Sequence, residues 1–410
     1  MEIITLYHMI WQKLLDENVK EFIRIHEKED VKALGLKKAP SSEWDYPLVL
    51  DQIKARQKAV VKLASWLAYE DIIFPSSFVM EQASSEACAQ YKAGLFEGES
   101  FVDLTGGLGA DSWGFLKHFK SGIVIERDEV SAALLEHNLS ILKPAQCEVR
   151  CMDAEVFMDE MERVDLIFID PQRRDQKAKG KFRFEDCSPD ILSMLPELMR
   201  RTGALMIKTS PMLDVWSGIE ALRGANYGVS EVHIVEWRGD CKEVLYIIRN
   251  EVVAMDDVPI IAVSIDDDGH VLRQIRFSRA EEINAECSYS APLSYFYEPS
   301  AAFLKAGAFK LLASTYGLKK IQEHTHLYTG DKYVAEFPGR CFALRGVYAA
   351  KSKEMPVSKA HLSVRNFPQS VDILRKKLKI QDGGEDYLFA CSLEDGRKVI
   401  LHGNKFYGNK

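Results

Sequence analysis

Hydrophobic positions recur at two periods along the chain, and the change of period divides it. Over residues 1 to about 95 the apolar positions fall three and four apart, around Ile23, His26 and Glu27 and again through Tyr46, Gln52, Ile53, Val60, Leu63 and Trp66, which predicts amphipathic helices. A run of strong helix formers, 81–96, predicts a further one, with Pro75 and Ser76 as the break before it. From Ser100 short apolar runs take over, at 101–104, 122–126, 147–151, 164–170, 204–210, 231–237 and 243–249. Segments long enough for crossover helices separate the first five, so these are expected to be parallel strands covered on both faces. Only Arg238 to Lys242 separate the last two, which forces an antiparallel hairpin. Beyond Asn250 comes a strand-like stretch with an acidic turn at Asp266, Asp267, Asp268 and Gly269. From about Tyr295 the pattern is mixed, with a helix around Ala301 to Tyr316 and short strands punctuated by Pro338, Gly339, Pro356, Pro368 and Gly383.

A chain of 410 residues, 47 % hydrophobic and 28 % charged, exceeds one ordinary core, so two or three domains are expected. Its eight cysteines include no Cys-x-x-Cys pair; no metal site is expected, and a reducing, cytoplasmic compartment is. Glu2 stands where a signal peptide carries positive charge, and no run approaches the roughly 18 apolar residues of a membrane span. The net charge of −8 would argue against a polyanionic partner if it were evenly spread, but it is not. In residues 291–410, 14 Lys and 5 Arg stand against 11 acidic residues, a net of +8, which leaves −16 for the rest.

The chemistry concentrates at strand ends. In 101–112, FVDLTGGLGADS, a buried strand ends in Asp103 and opens into a glycine turn before a helix begins near Asp111. Gly107 and Gly109 fit close-approach positions of a nucleotide-binding turn, and Gly106 adds freedom. The turn lacks the third glycine of a dinucleotide site, and the Asp111 carboxylate at the helix start would repel a pyrophosphate. Asp103 suits a ligand with a cationic amino group and no phosphate, as in S-adenosylmethionine (SAM). Glu126 ends the second strand and is placed to accept from both ribose hydroxyls; alternatively, Glu126, Arg127 and Asp128 form a solvated turn that caps the next helix. Asp153, after the third strand, either faces an adenine edge or caps its own helix.

The fourth strand delivers Asp170 into Pro171, Gln172, Arg173, Arg174 and Asp175, beside the point where strand order is expected to reverse. The position matches the Asn/Asp-Pro-Pro-aromatic motif of amino-methylating enzymes, with arginines in place of the aromatic. Those arginines either orient a phosphate or base, or pair with Asp175 or Glu185. Residues 173–183 hold six basic residues and one acid, a solvated loop or a phosphate-tracking one. Ser210, Pro211 and Met212 are expected to line the same cleft. His324 and His326 are spaced to share a strand face in a structural role. No Pro-Cys dipeptide is present, which disfavours a cysteine adduct on a pyrimidine.

Taken together, DLTGGLGADS, IDPQRRD, FEDCSPDIL, IKTSPMLD, CKEVL, YEPSAAFLKAGAFK, THLYTGD, FPGR and KKLKIQDGGEDYLFA resemble a family of bacterial class I SAM-dependent methyltransferases with a C-terminal THUMP-like domain, held to act on RNA. Family members usually carry alanine where this chain has Gln172. The resemblance implies an α/β fold: a Rossmann-like seven-stranded sheet, an N-terminal helical domain and a C-terminal α+β module. The divisions expected are 1–95 (helical), 96–252 (methyltransferase), 253–325 (linker and ferredoxin-like segment) and 326–410 (THUMP-like).

The cofactor set expected is Asp103, Thr105, Gly106, Gly107, Gly109, Asp111, Glu126, Arg127, Asp153, Ala154 and Asp170. The catalytic set is Asp170, Pro171, Arg173 and Arg174, holding a base nitrogen of ribosomal or transfer RNA. The RNA itself is expected on the loop 173–183 and on Lys351, Lys353, Lys359, Arg365, Arg375, Lys376, Lys377 and Lys379. Phe367, Tyr387 and Phe389 serve there either as base-stacking groups or as core.

Overall fold

The computed structural model describes residues 11–142, 146–173 and 183–408. Its contacts divide into two compact units, the first built mainly from residues up to 255 and the second mainly from 272 onward. The first unit opens with helices α1 (Glu17–His26), α2 (Val31–Gly35), α3 (Tyr46–Lys62), α4 (Ser77–Gln82) and α5 (Glu86–Ala93). Trp11, Leu14, Val19, Ile23, Val49 and Ile53 form the core between them. The helix expected over 81–96 is two helices. Ser85 caps α5 by accepting from the Cys88 N–H, and this local bond outcompetes helical continuation through Ala83 and Ser84.

The alternating part follows as β1 (Gly98–Asp103), α6 (Ala110–Phe115), β2 (Phe119–Glu126), α7 (Glu129–Leu142), β3 (Cys147–Cys151), α8 (Ala154–Glu160), β4 (Val164–Ile169), α9 (Ile191–Arg201), β5 (Thr202–Thr209), α10 (Val215–Ala221), β6 (Gly228–Trp237) and β7 (Asp240–Arg249). These seven strands lie in the order β6-β7-β5-β4-β1-β2-β3 within a sheet of nine, two more than expected. Strands β3, β2, β1, β4 and β5 are parallel, and β7 runs antiparallel to β5. The turn between β6 and β7 holds Arg238 and Gly239 at φ of 53° and 84°, the positive pair that a two-residue hairpin with a primed turn needs. Strand order reverses between β1 and β4, whose carboxyl ends therefore part and leave a crevice. The central strands are apolar on both faces: Phe101, Val102, Leu166, Ile167, Phe168 and Ile169 are at most 1 % exposed.

Strands β8 (Ile260–Ile265) and β9 (Val271–Phe277) and helix α11 (Arg279–Asn284) lead onward. The second unit then lays β10 (Tyr295–Pro299), β11 (Gly339–Ala349), β12 (His361–Arg365), β13 (Asp386–Ser392) and β14 (Lys398–Lys405) into a seven-stranded sheet. The order is β10-β11-β14-β13-β12, with two short strands outside β10. The helix expected from Ala301 to Tyr316 breaks at Gly307, whose φ of 83° ends α12 (Ala301–Ala306) before α13 (Phe309–Thr315) begins. Phe296, Phe342 and Phe389 pack on one face of the sheet, while Leu388, Ala390 and Ile400 face α14 (Val371–Leu378) on the other. Phe389 is thus core. His324 and His326 lie in a turn and not on a strand; His326 stacks on Phe309 with ring centroids 3.7 Å apart, while His324 is exposed. Among the described residues no helix is long and apolar enough to cross a membrane.

Phe101 sits at the centre of the first sheet and touches the rings of Phe115 and Phe119. Phe101→Ala is expected to cost about 3–5 kcal/mol of unfolding free energy, checked by urea titration followed by circular dichroism.

Candidate active site

The carboxyl ends of β1, β2 and β4 frame a cavity of about 290 Å³. The turn from β1 into α6 is tied to the strands on both sides: the Leu104 N–H donates to the Phe168 carbonyl (3.0 Å) and the Gly106 N–H to that of Ile125 (2.8 Å). Gly107 and Gly109 hold φ of 52° and 90°, where a side chain would be strained. A Cβ on Gly109 would also lie 2.4 Å from Leu135 Cδ1, whereas one on Gly107 would meet nothing nearer than 3.8 Å. Gly107 therefore presents open backbone to the cavity it lines.

Asp103 does not face this cavity. It is 1 % exposed beneath the turn, accepting from the Thr105 N–H (2.9 Å) and the Ser112 hydroxyl (2.5 Å). Its oxygens brace the turn, so the residue expected at a ligand's amino group is placed under the glycine loop and outside the cavity wall. Burial pushes its pKa up to about 7, although both hydrogen bonds work against the rise. Gly106 is also turned from the cavity and packs against Val124 and Leu135.

Glu126 does line it. One carboxylate oxygen accepts from the Gly107 N–H and the other from the Asp128 N–H, both at 2.9 Å, and each keeps a lone pair for a further donor. The capping alternative belongs to Asp128, which accepts from the Ser131 N–H at 2.8 Å. Asp153 occupies the N-cap position of α8, but its side chain makes no cap hydrogen bond, and its carboxylate is left to the cavity. Thr105, Arg127 and Ala154 also line it, with Leu108, Ile125 and Met152 supplying apolar wall. Arg127 is oriented by donating to Ser188 Oγ at 3.2 Å.

Asp170 closes the other end. Its N–H donates to Thr105 Oγ1 at 2.7 Å, which fixes β4 to the glycine turn, and its side chain is 30 % exposed. Gln172 lines the cavity; Pro171 and Arg173 do not. Gln172 and Arg173 pair with Ser188 and Cys187 in a short antiparallel ladder, so alternate side chains point apart. The Arg173 guanidinium lies 3.8 Å from Asp186, an ion pair with a neighbour of the residues expected. Arg174 and the loop through 182 lie outside the described residues. Ser210, Pro211 and Met212 are not part of the cavity wall.

The residue of β5 that matters is Lys208, which the sequence reading passed over. Its ammonium is bonded to Asp170 Oδ2 and lies 3.0 Å from Ser84 Oγ and 3.5 Å from Asp111 Oδ2. Behind it the fully buried Lys92 is held by Asp111 at 2.9 Å and by both oxygens of Glu243 at 2.7 and 2.8 Å. Asp111, expected at the cofactor, is thus committed to the lysines. Burial opposes the charges of Lys92, Lys208, Asp111 and Glu243. Lys92 and Lys208 nonetheless keep raised pKa values because the carboxylates outweigh it, and the lysines hold Asp111 down at about 2. For Glu243 burial wins and the pKa is raised. The one signal in the sequence is a lysine or glutamate inside an otherwise apolar strand, as in ALMIKTS and KEVLYIIR.

A crystal structure of a candidate methyltransferase from Porphyromonas gingivalis W83 superposes with a TM-score of 0.81 at 30 % identity, over 95 % of this chain and 97 % of that one. This chain belongs to the same family. Family models for a ferredoxin-like domain and a THUMP-like domain match residues 295–338 and 339–405. In the structure these two segments share one sheet, since β10 pairs with β11 through Phe296 and Phe342. More distant is a candidate RNA methyltransferase from Pyrococcus horikoshii, at 17 % identity over 56 % of this chain and all of that one, with a TM-score of 0.28. An rRNA methylase from Streptococcus thermophilus has 15 % identity over 40 % of this chain and 95 % of that one, with a TM-score of 0.31. Likenesses this weak carry no weight. No curated protein matches the sequence.

The raised pKa of Asp103 has a stability consequence. An acid whose folded pKa lies above its unfolded value favours the folded state most at low pH, and that advantage is lost as pH rises from about 4 to about 7. Asp103→Asn removes the titration. The unfolding free energy of the wild type should therefore fall relative to that of Asp103→Asn across this window, by on the order of 4 kcal/mol, in chemical denaturation at a series of pH values.

Proposed function

We propose that the protein is an RNA methyltransferase that takes its methyl group from SAM. The observation that carries the reading is Glu126: an acceptor-only group at the tip of β2, anchored by the Gly107 N–H, with a lone pair left on each oxygen at the cavity wall. That donor set suits a ribose diol. Leu108, Ile125 and Met152 suit the faces of an adenine ring, Asp153 suits its amino edge, and the open backbone of Gly107 allows close approach. Bound there, SAM supplies an electrophilic methyl group. The chain's own work is to orient it: Thr105 holds the Asp170 backbone, and the Asp170 side chain then meets the acceptor at the far end of the cavity. Alignment of acceptor, methyl and sulfur supplies most of the rate. The Asp-Pro dipeptide by itself suggests a base nitrogen as acceptor, but a lysine bonded to Asp170 does not suit a centre that becomes cationic.

RNA as the substrate is supported by the THUMP-like match and by the charge of the second unit. Lys376, Lys377 and Lys379 are exposed at the end of α14, and Lys351, Lys353 and Lys359 are exposed nearby in sequence. Arg365 is otherwise engaged, donating to the buried Glu298 at 2.6 Å, and Arg375 pairs with Asp382 at 2.8 Å. Phe367 and Tyr387 are half-buried against the sheet.

Three measurements test the reading. Calorimetric titration with SAM should give a wild-type complex, and Glu126→Ala should weaken it at least about 10-fold, since hydrogen bonds to a charged acceptor are lost. Asp170→Ala should abolish transfer of labelled methyl to RNA while SAM affinity stays within a few-fold; surviving turnover would remove Asp170 from the mechanism. The logarithm of the RNA binding constant should fall linearly with that of salt concentration. Replacing Lys376, Lys377 and Lys379 with alanine should make the slope shallower by about 2 to 3, whereas an unchanged slope would take these lysines out of the interface.

A further inference from the structure

We infer that the acceptor is a hydroxyl oxygen, and in RNA the ribose 2′-hydroxyl, with Asp170 receiving its proton and Lys208 facing the oxygen as it becomes negative. The inference rests on the RNA methyltransferase reading and specifies the atom modified.

The sign of charge decides between acceptors. A neutral nitrogen becomes positive as the methyl arrives, so its natural partners are oxygens that only accept, and a fixed cation beside it raises the barrier. A hydroxyl must shed its proton and passes through oxyanion character, so it needs a proton acceptor with a cation close at hand. Asp170 and Lys208 are that pair. Asp170 is the member of the buried cluster that reaches the cavity wall, and the Lys208 ammonium is bonded directly to its Oδ2. Lys208 is 11 % exposed on its side chain and is held from three directions by Asp170, Ser84 and Asp111. Lys92, braced by Asp111 and Glu243, keeps Asp111 oriented and ionised from behind. Burying two lysines and two acids behind Asp170 costs desolvation energy that an apolar set of similar volume would not incur. The arrangement is most open to solvent at Asp170, 30 % exposed on its side chain against 11 % for Lys208 and 12 % for Asp111, and that end is where an acceptor would sit.

In the step, a lone pair of the hydroxyl oxygen forms the new carbon–oxygen bond as the methyl–sulfur bond breaks, its electron pair remaining on the departing sulfur. The hydroxyl proton passes to the Asp170 carboxylate and from there to water, and Lys208 keeps its own proton throughout. Asp170 is then catalytic, Lys208 stabilises the oxygen, and Lys92, Asp111 and Glu243 are positioning residues.

The test uses the full-length protein, SAM labelled in the methyl group, and total RNA from cells lacking the gene. A 2′-O-methyl group blocks alkaline cleavage of the adjacent phosphodiester, so the product RNA is hydrolysed in alkali and separated by size. Label recovered in alkali-stable dinucleotides is the expected result. Label confined to mononucleotides would mean a methylated base and would overturn the inference while leaving the RNA methyltransferase reading intact. Calorimetric SAM binding with no label entering RNA would overturn both. In parallel, Lys208→Met should lower kcat at least about 100-fold, the scale of losing one oxyanion donor, with the calorimetric Kd for SAM within about threefold. Lys208→Arg should recover part of the rate. Equal rates for Met and Lys at position 208 would remove it from the step.

Discussion

The five ionisable groups that meet between α5, the glycine turn, β4, β5 and β7 set the terms for the rest of the first unit. Lys92 is fully buried, Glu243 is 3 % exposed, and neither is tolerable there without the other. Asp111 links them to Lys208, and Lys208 links them to Asp170. A helix that precedes the sheet, the first turn of α6, two strand positions and the residue that follows β4 are therefore bound by charge as well as by apolar packing. Removing one partner strands the others, which is the costly way to break a buried ion pair. The cluster also explains why the crevice is polar on one side: the charges that hold it together end at Asp170.

The other side of the crevice is made rigid by a different device. Asp103 sits under the glycine turn and takes two hydrogen bonds from it, Gly109 allows Leu135 to pack against the backbone, and Glu126 reaches across from β2 to the Gly107 N–H. Thr105 then passes this order to β4 by accepting from the Asp170 N–H. The two ends of the cavity are thus fixed by one short loop, the rigidity that the proposed alignment of a cofactor with an acceptor would draw on.

The second unit has its own buried charge. Glu298, 3 % exposed on β10, is bonded to Arg340 on β11 and to Arg365 at the end of β12. This draws two arginines out of the basic total and ties the ferredoxin-like segment to the THUMP-like one. The lysines on α14 remain exposed. The net of +8 in this part of the chain is therefore a surface property carried mainly by lysine.

Much of the fold was legible in the sequence because the signals are local. Runs of apolar residues of strand length, crossover segments between five of them and a five-residue link between the last two lead to the observed parallel core with its antiparallel β7. The acids at the ends of β2, β3 and β4 could be placed at the cavity for the same reason, since each ends a strand that runs into one crevice. What the sequence alone misjudged was the direction of side chains around sharp turns. Asp103 turns under the glycine loop toward Thr105 and Ser112 and Asp111 back toward α5, and Ser85 and Gly307 each break a helix that propensity would continue. What it could not contain was the pairing of Lys92 with Glu243, 151 residues apart, or of Lys208 with Asp170, 38 apart. A lone charge within an apolar run is ambiguous until tertiary packing decides whether it meets an opposite charge. Electrostatic pairing acts through space, and only the folded sheet brings these strands and α5 close enough for it.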